Sequence, residues 1–283
     1  MAPSRLRPLA SAFGGVLVAL AVLGLLELGL RAVGIPDPGL YAGDPSHLWW
    51  LRPGLDREVP GPESGTSFRV RTNELGLRGS PPPSEGPWTL ALGCSTTFGW
   101  GVDEHQAWPA VLADLLGQPV INGGQPGWST HQALAVSERW LELGPTRVIL
   151  GFIVRDAQPA SRPDHLARPS SWLWRSQLGH GLQALLLRSA GPARPSTGGP
   201  RVSPEHFEEN LSGLVALAGD TPVVLLAFPQ IHPADEHIAA MARVGPPVVA
   251  PQLSRDLFFP SDPIHLTVAG HQALAQQLAE ALP

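Results

Sequence analysis

Hydrophobic and polar positions divide this chain into three regimes. The first is a nearly unbroken apolar stretch, "PLASAFGGVLVALAVLGLLELGLRAVG", uncharged from Pro8 to Leu26 and carrying Glu27 and Arg31 near its far end. A helix crosses a hydrocarbon core with about 20 apolar residues, so the segment is just long enough to span one. No polar face appears before Glu27, which argues against a helix buried on one side in a soluble core. The second regime, residues 35–84, is punctuated by Pro and Gly, and its pattern predicts one short strand at Phe68–Arg71. From Trp88 onward, short apolar runs alternate with helical spacing. "WTLAL", "PVIN", "RVILGFIV", "PVVLLAF" and "PPVVAP" predict strands. "AWPAVLADLLG", "HQALAVSERWLEL", "SPEHFEENLSGLVALAG", "PADEHIAAMARVG" and "LTVAGHQALAQQLAEAL" predict helices, the third opened by a Ser–Pro pair and the last capped by Thr267 or the loop before it.

"RVILGFIV" is apolar on both faces, as a central parallel strand requires. Strands and helices alternating through short loops predict an α/β fold: a three-layer α/β/α sandwich around a parallel, roughly five-stranded sheet. The expected organisation is a membrane helix over 1–34, a stalk and connecting segment over 35–84, and an α/β domain over 85–283 interrupted at 157–202. Within the interruption, Trp172, Trp174, Leu178, Leu182 and Leu185 recur at near-helical spacing. Packing on the core is the default reading of such a stripe, beside a lid or a membrane contact. Trp49 and Trp50 suit either a membrane interface or packing on the domain.

Charge and cysteine content narrow the field. The formal net charge is −5, and all 19 cations are Arg, scattered singly, so no nucleic-acid footprint is expected. Cys94 stands alone, which excludes an internal disulfide framework and a cysteine-based zinc site. His232 and His237 have no third ligand at diagnostic spacing and read as surface residues; His131 and His271 lie at or within helices and receive no role. No metal or organic cofactor is expected. Arg5 and Arg7 hold the N-terminus in the cytoplasm, so the rest is expected on the extracytoplasmic side of a single-pass anchor. A cleaved signal peptide is the alternative, but no convincing cleavage site follows.

Ligands of open parallel sheets bind at the carboxyl ends of the strands. Ser95, Gly127, Arg155 and the loop before the last helix all follow predicted strands closely. In that loop, "FFPSDPIHLTVAGH", Asp262 precedes His265 by three residues in a Pro-bearing turn, a spacing that can set a carboxylate beside an imidazole. Taken singly, D-x-x-H is more often a cap, and Ser95 with Thr96 more often caps the next helix. With a serine at a strand end, the pair becomes a triad candidate. Cys94 is a rival nucleophile, although a small buried thiol is the simpler reading.

"LGCSTTFGWGV", "INGGQPGWST", "ILGFIVRDA" and "DPIHLTVAGH" occur in the order and spacing of the four sequence blocks of the SGNH, or GDSL-type, hydrolases. The chain resembles that family from about Trp88 to Leu282. It looks closest to bacterial membrane-anchored members, which share the stretch that reads here Arg71-Thr-Asn73-Glu-Leu-Gly76-Leu-Arg78. The resemblance implies Ser95 as nucleophile and oxyanion donor, Gly127 as a second backbone donor, His265 as general base and Asp262 as the residue orienting it. Two positions depart from the pattern: Cys94 replaces the aspartate of "GDS", and Arg155 replaces the third-block asparagine that donates to the oxyanion. Asp156 beside it reads as structural. The implied activity is hydrolysis of an O-acyl ester of an envelope glycan, a lipid or a small molecule. Acyl transfer by the same triad and a catalytically silent binding domain are the alternatives.

Overall fold

The computed structural model describes residues 6–33, 39–44, 48–166, 176–179, 181–182, 198–229 and 234–282. Helix α1 (Leu6–Val33) carries a 21-residue span, Phe13–Val33, of mean hydropathy 2.2, none of it buried against the protein. By length and composition it is able to cross a bilayer. Near its far end, Glu27 pairs with Arg31 at 2.7 Å and accepts the backbone N–H groups of Gln177 and Leu178 at 2.9 and 3.0 Å. Part of the interruption thus lies against α1. Leu178 is half-buried and Leu182 exposed, while Trp172, Trp174 and Leu185 lie outside the described residues.

Two antiparallel pairs follow, β1 (Tyr41–Asp44) with β2 (Leu48–Leu51) and β3 (Asp56–Pro60) with β4 (Ser67–Arg71). The central sheet contains β5 (Thr89–Gly93), β6 (Val120–Gly124), β7 (Arg147–Gly151), β8 (Val223–Leu226) and β9 (Val248–Val249). Its order is β6-β5-β7-β8-β9, every neighbouring pair parallel. Between and after these strands come helices α2 (Ser95–Phe98), α3 (Trp108–Leu116), α4 (Thr130–Val136), α5 (Glu138–Leu141), α6 (Ile153–Asp156), α7 (Pro204–Ala218), α8 (Asp235–Val244) and α9 (Val268–Ala281). Helix α3 packs on α9, and α7 packs on α4 and α8, giving the two helical layers of a three-layer α/β/α sandwich. Every residue of β5, β6 and β8 is buried, as expected of strands covered on both faces.

Local chemistry sets most boundaries. Gly117 ends α3 in the left-handed conformation; Ser203 caps α7 by accepting the His206 N–H, and Thr267 caps α9 by accepting that of Gly270. Residues 35–84 hold four strands in two antiparallel pairs where the pattern predicts one at Phe68–Arg71, because their pairing is set by partners across each hairpin. Three further elements differ from the sequence pattern. "HQALAVSERWLEL" divides at Ser137 into α4 and α5, beyond which Trp140 stacks on Trp128 with ring centroids 5.9 Å apart. "RVILGFIV" leaves the sheet after Gly151, and its last residues open α6 instead of extending the strand. In "PPVVAP" only Val248 and Val249 pair, because the flanking prolines offer no N–H to the ladder.

Two side-chain placements are also settled. Trp49 and Trp50 pack against the main core, and the Arg139 guanidinium lies 3.9 Å from the Trp50 ring centroid, so packing on the domain prevails over a membrane interface. His237 is not a surface residue: it is 3 % exposed, with Nε2 2.8 Å from the Val202 carbonyl and its ring against Phe207. On amphipathic α8 it falls on the inner face, where the carbonyl satisfies its polar edge. His232 lies outside the described residues.

Candidate active site

Strand order reverses around β5, which places a crevice at its carboxyl end. There the register sets Gly93 opposite both Gly124 and Gly151, a row of three glycines across three strands. Helix α2 sits directly on this row. A Cβ at Gly93 would meet Thr97 Oγ1 at 2.0 Å, and one at Gly124 would meet the Phe98 backbone nitrogen at 2.2 Å. The missing side chains are what allow the chain to fold back immediately after β5 and present Ser95. Gly124→Ala is therefore expected to destabilise the protein by about 1–3 kcal/mol, since backbone rather than a flexible side chain must give way. Urea denaturation followed by tryptophan fluorescence measures this as a lowered midpoint.

Ser95 opens α2 and is 2 % exposed. The first N–H groups of a helical turn lack partners within it, so the Ser95 N–H is available at the same point as the hydroxyl. Cys94 is fully buried, with Sγ 3.3 Å from Thr96 Oγ1, as a small core thiol. The far end of the turn is held by Arg78. This buried guanidinium donates to the carbonyls of Phe98, Gly99 (2.9 Å) and Val102 (2.7 Å), and stacks 4.2 Å from the Phe98 ring centroid. Burial brings its pKa down to about 10, so it remains cationic at neutral pH. Within the same stretch, Asn73 Oδ1 accepts the N–H groups of Leu75 (2.9 Å) and Leu77 (3.2 Å), shaping the turn that leads to Arg78. This stretch braces the turn that carries Ser95. No local pattern marks Arg78, because the carbonyls it holds on this turn lie twenty to twenty-four residues onward in the chain.

His265 and Asp262 come from the loop before α9. His265 Nε2 lies 2.8 Å from Ser95 Oγ, and His265 Nδ1 lies 2.6 Å from Asp262 Oδ2. The other carboxylate oxygen accepts the backbone N–H groups of Ile264 (3.0 Å) and His265 (3.3 Å), which fixes the carboxylate before it reaches the ring. Burial pushes the Asp262 carboxyl up, but the hydrogen bond and charge of His265 and the two N–H groups outweigh it and hold the pKa at about 2. The loop is itself tied down: Glu63, from the turn joining β3 to β4, accepts from the Ser261 N–H at 2.9 Å and the Ser261 hydroxyl at 2.8 Å. Ser95, His265 and Asp262 are thus brought together in one hydrogen-bonded chain.

Gly127 lies on the loop after β6 and Arg155 on α6, the short helix after β7. The Trp128 N–H donates to the Gln125 carbonyl at 3.1 Å, closing a turn with Pro126 and Gly127 at its corners. Gly127 has φ +86°, the value a type II turn requires at that position. Arg155, on α6, donates from Nη1 to Gln158 Oε1 at 2.7 Å, and its Nε is buried without a partner. Among the described residues, no hydrogen bond joins Gly127 or Arg155 to Ser95 or His265. Asp156 is fully buried and accepts from the Thr130 N–H at 2.9 Å; burial raises its pKa to about 7. Its partner is a helix start rather than the crevice, in keeping with a structural residue. His271 is also internal: its Nδ1 accepts the Trp108 N–H at 3.2 Å, and burial brings its pKa down to about 3. Among the described residues, no group of three His, Cys, Asp or Glu is placed to hold a metal ion.

No family model matches the chain, and no curated protein matches it. Similar solved structures include a lipase/acylhydrolase from Enterococcus faecalis, 19% identical over 70% of this chain and 95% of that one, with a TM-score of 0.48. A G-D-S-L family protein from Desulfitobacterium hafniense DCB-2 is 14% identical over 70% of this chain and 100% of that one, also with a TM-score of 0.48. The salicylyl-acyltransferase SsfX3 of a tetracycline biosynthetic pathway is 14% identical over 78% of this chain and 60% of that one, with a TM-score of 0.43. Likenesses at this level concern the course of the chain; the chemistry belongs to the side chains.

Proposed function

We propose that this chain is a serine esterase of the SGNH type, working through a covalent acyl-enzyme on Ser95. The single observation that carries this reading is the unbroken chain of hydrogen bonds from the Ser95 hydroxyl through His265 to Asp262. His265 Nδ1–H donates to the ionised Asp262, which leaves Nε2 as the basic nitrogen facing Ser95. As Oγ attacks the ester carbonyl, its proton passes to Nε2, and the carbonyl oxygen becomes an oxyanion. The N–H groups of Ser95 and Gly127 are the donors in this reading. The imidazolium then protonates the leaving alcohol, and the Ser95 ester remains. Water, deprotonated by His265, attacks that ester and releases the acid. If an added alcohol intercepts it instead, the same site performs acyl transfer.

Arg155 is the third donor candidate, and one nitrogen of its guanidinium, Nη1, is already engaged by Gln158. Losing a true oxyanion donor costs about 10²–10³ in rate. Arg155→Ala is expected to lower kcat by less than about tenfold, because Nη1 is committed elsewhere; steady-state hydrolysis of p-nitrophenyl acetate measures it. The silent-domain alternative is motivated by this same replacement of asparagine, but a domain that only binds has no chemical need for the serine, imidazole and carboxylate together.

The substrate class in this reading is an O-acyl ester of an envelope glycan, a lipid or a small molecule. Residues 1–34 anchor the protein with Arg5 and Arg7 on the cytoplasmic side, residues 35–84 connect, and residues 85–283 form the extracytoplasmic α/β domain with its interruption at 157–202. Hydrolysis of p-nitrophenyl acetate by the purified full chain, followed with and without an added sugar, tests the reaction class. Acid release supports the esterase; recovery of acylated sugar at the expense of acid indicates transfer; neither product rejects both.

A further inference from the structure

Two segments outside the strand–helix repeat, β2 and the end of the interruption, converge on the two peptide groups that flank Cα of Gly127. Trp49, on β2, donates its indole N–H to the Pro126 carbonyl at 3.2 Å. Arg201, near the end of the interruption, donates from Nη1 to the Gly127 carbonyl at 2.7 Å. The carbonyls on either side of Cα of Gly127 are therefore both gripped by side chains. The Gly127 N–H donates to no described residue. In a trans peptide the N–H of Gly127 points opposite to the carbonyl of Pro126. A donor holding that carbonyl therefore fixes the direction of the N–H and polarises the bond.

Both grips are themselves fixed. The Trp128 indole donates to the Trp49 carbonyl at 2.7 Å, and a Cβ on Gly127 would stand 3.2 Å from the Trp49 ring, so the indole lies flush against the turn. Arg201 forms a two-point pair with Asp164, Nε to Oδ1 at 3.1 Å and Nη2 to Oδ2 at 2.7 Å, with both side chains largely buried. Ser129 adds a hydroxyl to Asp164 Oδ2 at 2.6 Å. Such forked pairs hold a guanidinium in one orientation, which a lysine cannot reproduce.

We infer that Trp49 and Arg201 are positioning residues for the oxyanion site, aiming the Gly127 N–H at the oxygen that becomes charged when Ser95 attacks. This rests on the esterase reading above. Neither side chain touches the reacting atoms. Trp49 holds the peptide that carries the Gly127 N–H, and Arg201 holds the next one. The turn is thus fixed on both sides of a backbone donor that must be in place before charge develops, which is how such donors accelerate reactions. With asparagine replaced by Arg155, fewer donors share the oxyanion and the aim of Gly127 matters more. The connecting segment and the end of the interruption thereby become parts of the active centre.

The test uses the full chain, p-nitrophenyl acetate, and an alkyl trifluoromethyl ketone that forms a charged tetrahedral adduct with an active serine. Trp49→Phe removes the indole N–H and keeps an aromatic ring over the turn; Arg201→Lys keeps the charge and breaks the fork. Each is expected to lower kcat about tenfold with KM within about twofold, and to weaken the ketone by the same factor as kcat/KM. A merely structural role would not make inhibition by the adduct-forming ketone track catalysis in this way. If the wild type hydrolyses the ester and both variants keep kcat and ketone affinity within twofold, the clamp is overturned and the esterase reading stands. If the wild type neither hydrolyses the ester nor binds the ketone, the esterase reading falls and takes the clamp with it.

Discussion

Ser95→Ala is expected to lower ester hydrolysis by about 10⁴-fold or more while the protein stays folded. The size follows from the kind of group removed. Without Oγ there is no acyl-enzyme, and what remains is the modest help that backbone donors and binding give to direct attack by water. Stability should change little, because the one side-chain hydrogen bond described for Ser95 is the one to His265, and alanine is an excellent helix former. Urea midpoints within the error of the wild type, measured beside kcat/KM on p-nitrophenyl acetate, separate a chemical defect from a folding one. Comparable activity in the variant would return attention to Cys94, whose burial makes it a poor nucleophile.

Asp262→Asn is expected to cost about 10⁴ in kcat with KM nearly unchanged. Asparagine fits the same turn, and its carbonyl oxygen can still accept the N–H groups of Ile264 and His265 that shape the loop. Its amide would face Nδ1, however, and donate where the carboxylate accepts. The imidazole would then carry its proton on Nε2, toward Ser95, and could not take the serine proton. The substitution also has a signature independent of catalysis. The folded-state pKa of Asp262, about 2, lies below the ordinary value of 3.8. Its contribution to stability is therefore fully present above pH 3.8 and is lost as pH falls toward 2. Urea denaturation of the wild type should show this acid-side loss between those limits, and the asparagine variant should lack that portion of the slope.

The parts of this architecture that were legible in the sequence are those whose cause is local. "WTLAL" and "RVILGFIV" read as buried strands because apolar residues fill both faces, and β5 and β7 form within or beside them. Thr267 and Gly117 mark helix ends by hydrogen bonding and backbone conformation within a single turn. The aspartate–histidine turn was legible for the same reason, since Asp262 finds its backbone partners two and three residues onward. What escaped depends on contacts between distant segments. The glycine row is visible only once Gly93, Gly124 and Gly151 share a register. Trp49, Arg78 and Arg201 grip carbonyl groups far away in the chain, and a carbonyl leaves no trace in a side-chain pattern. His237 reads as polar surface until the helix that carries it is docked and Val202 supplies its acceptor. The break of "RVILGFIV" after Gly151 is similar, because apolar content alone does not separate a strand from the helical turn that continues it.

The candidate triad comes from the α/β repeat, whereas its supports come from outside it: Glu63 on the histidine loop, Arg78 on the serine turn, and Trp49 and Arg201 on the Gly127 turn. A nucleophile and base held within hydrogen-bond reach in a buried crevice need such rigid surroundings, because small displacements there are costly to rate. Described residues between 39 and 84, Trp49, Glu63 and Arg78 among them, accordingly brace the candidate site.

The most direct measurement is the site of covalent labelling by a fluorophosphonate, read by mass spectrometry on the intact full chain and its peptides. A single adduct on Ser95, formed by the folded wild type and lost in His265→Ala, is the expected result. An unlabelled folded protein, or labelling of Ser95 that proceeds undiminished without the His265 imidazole, would contradict it.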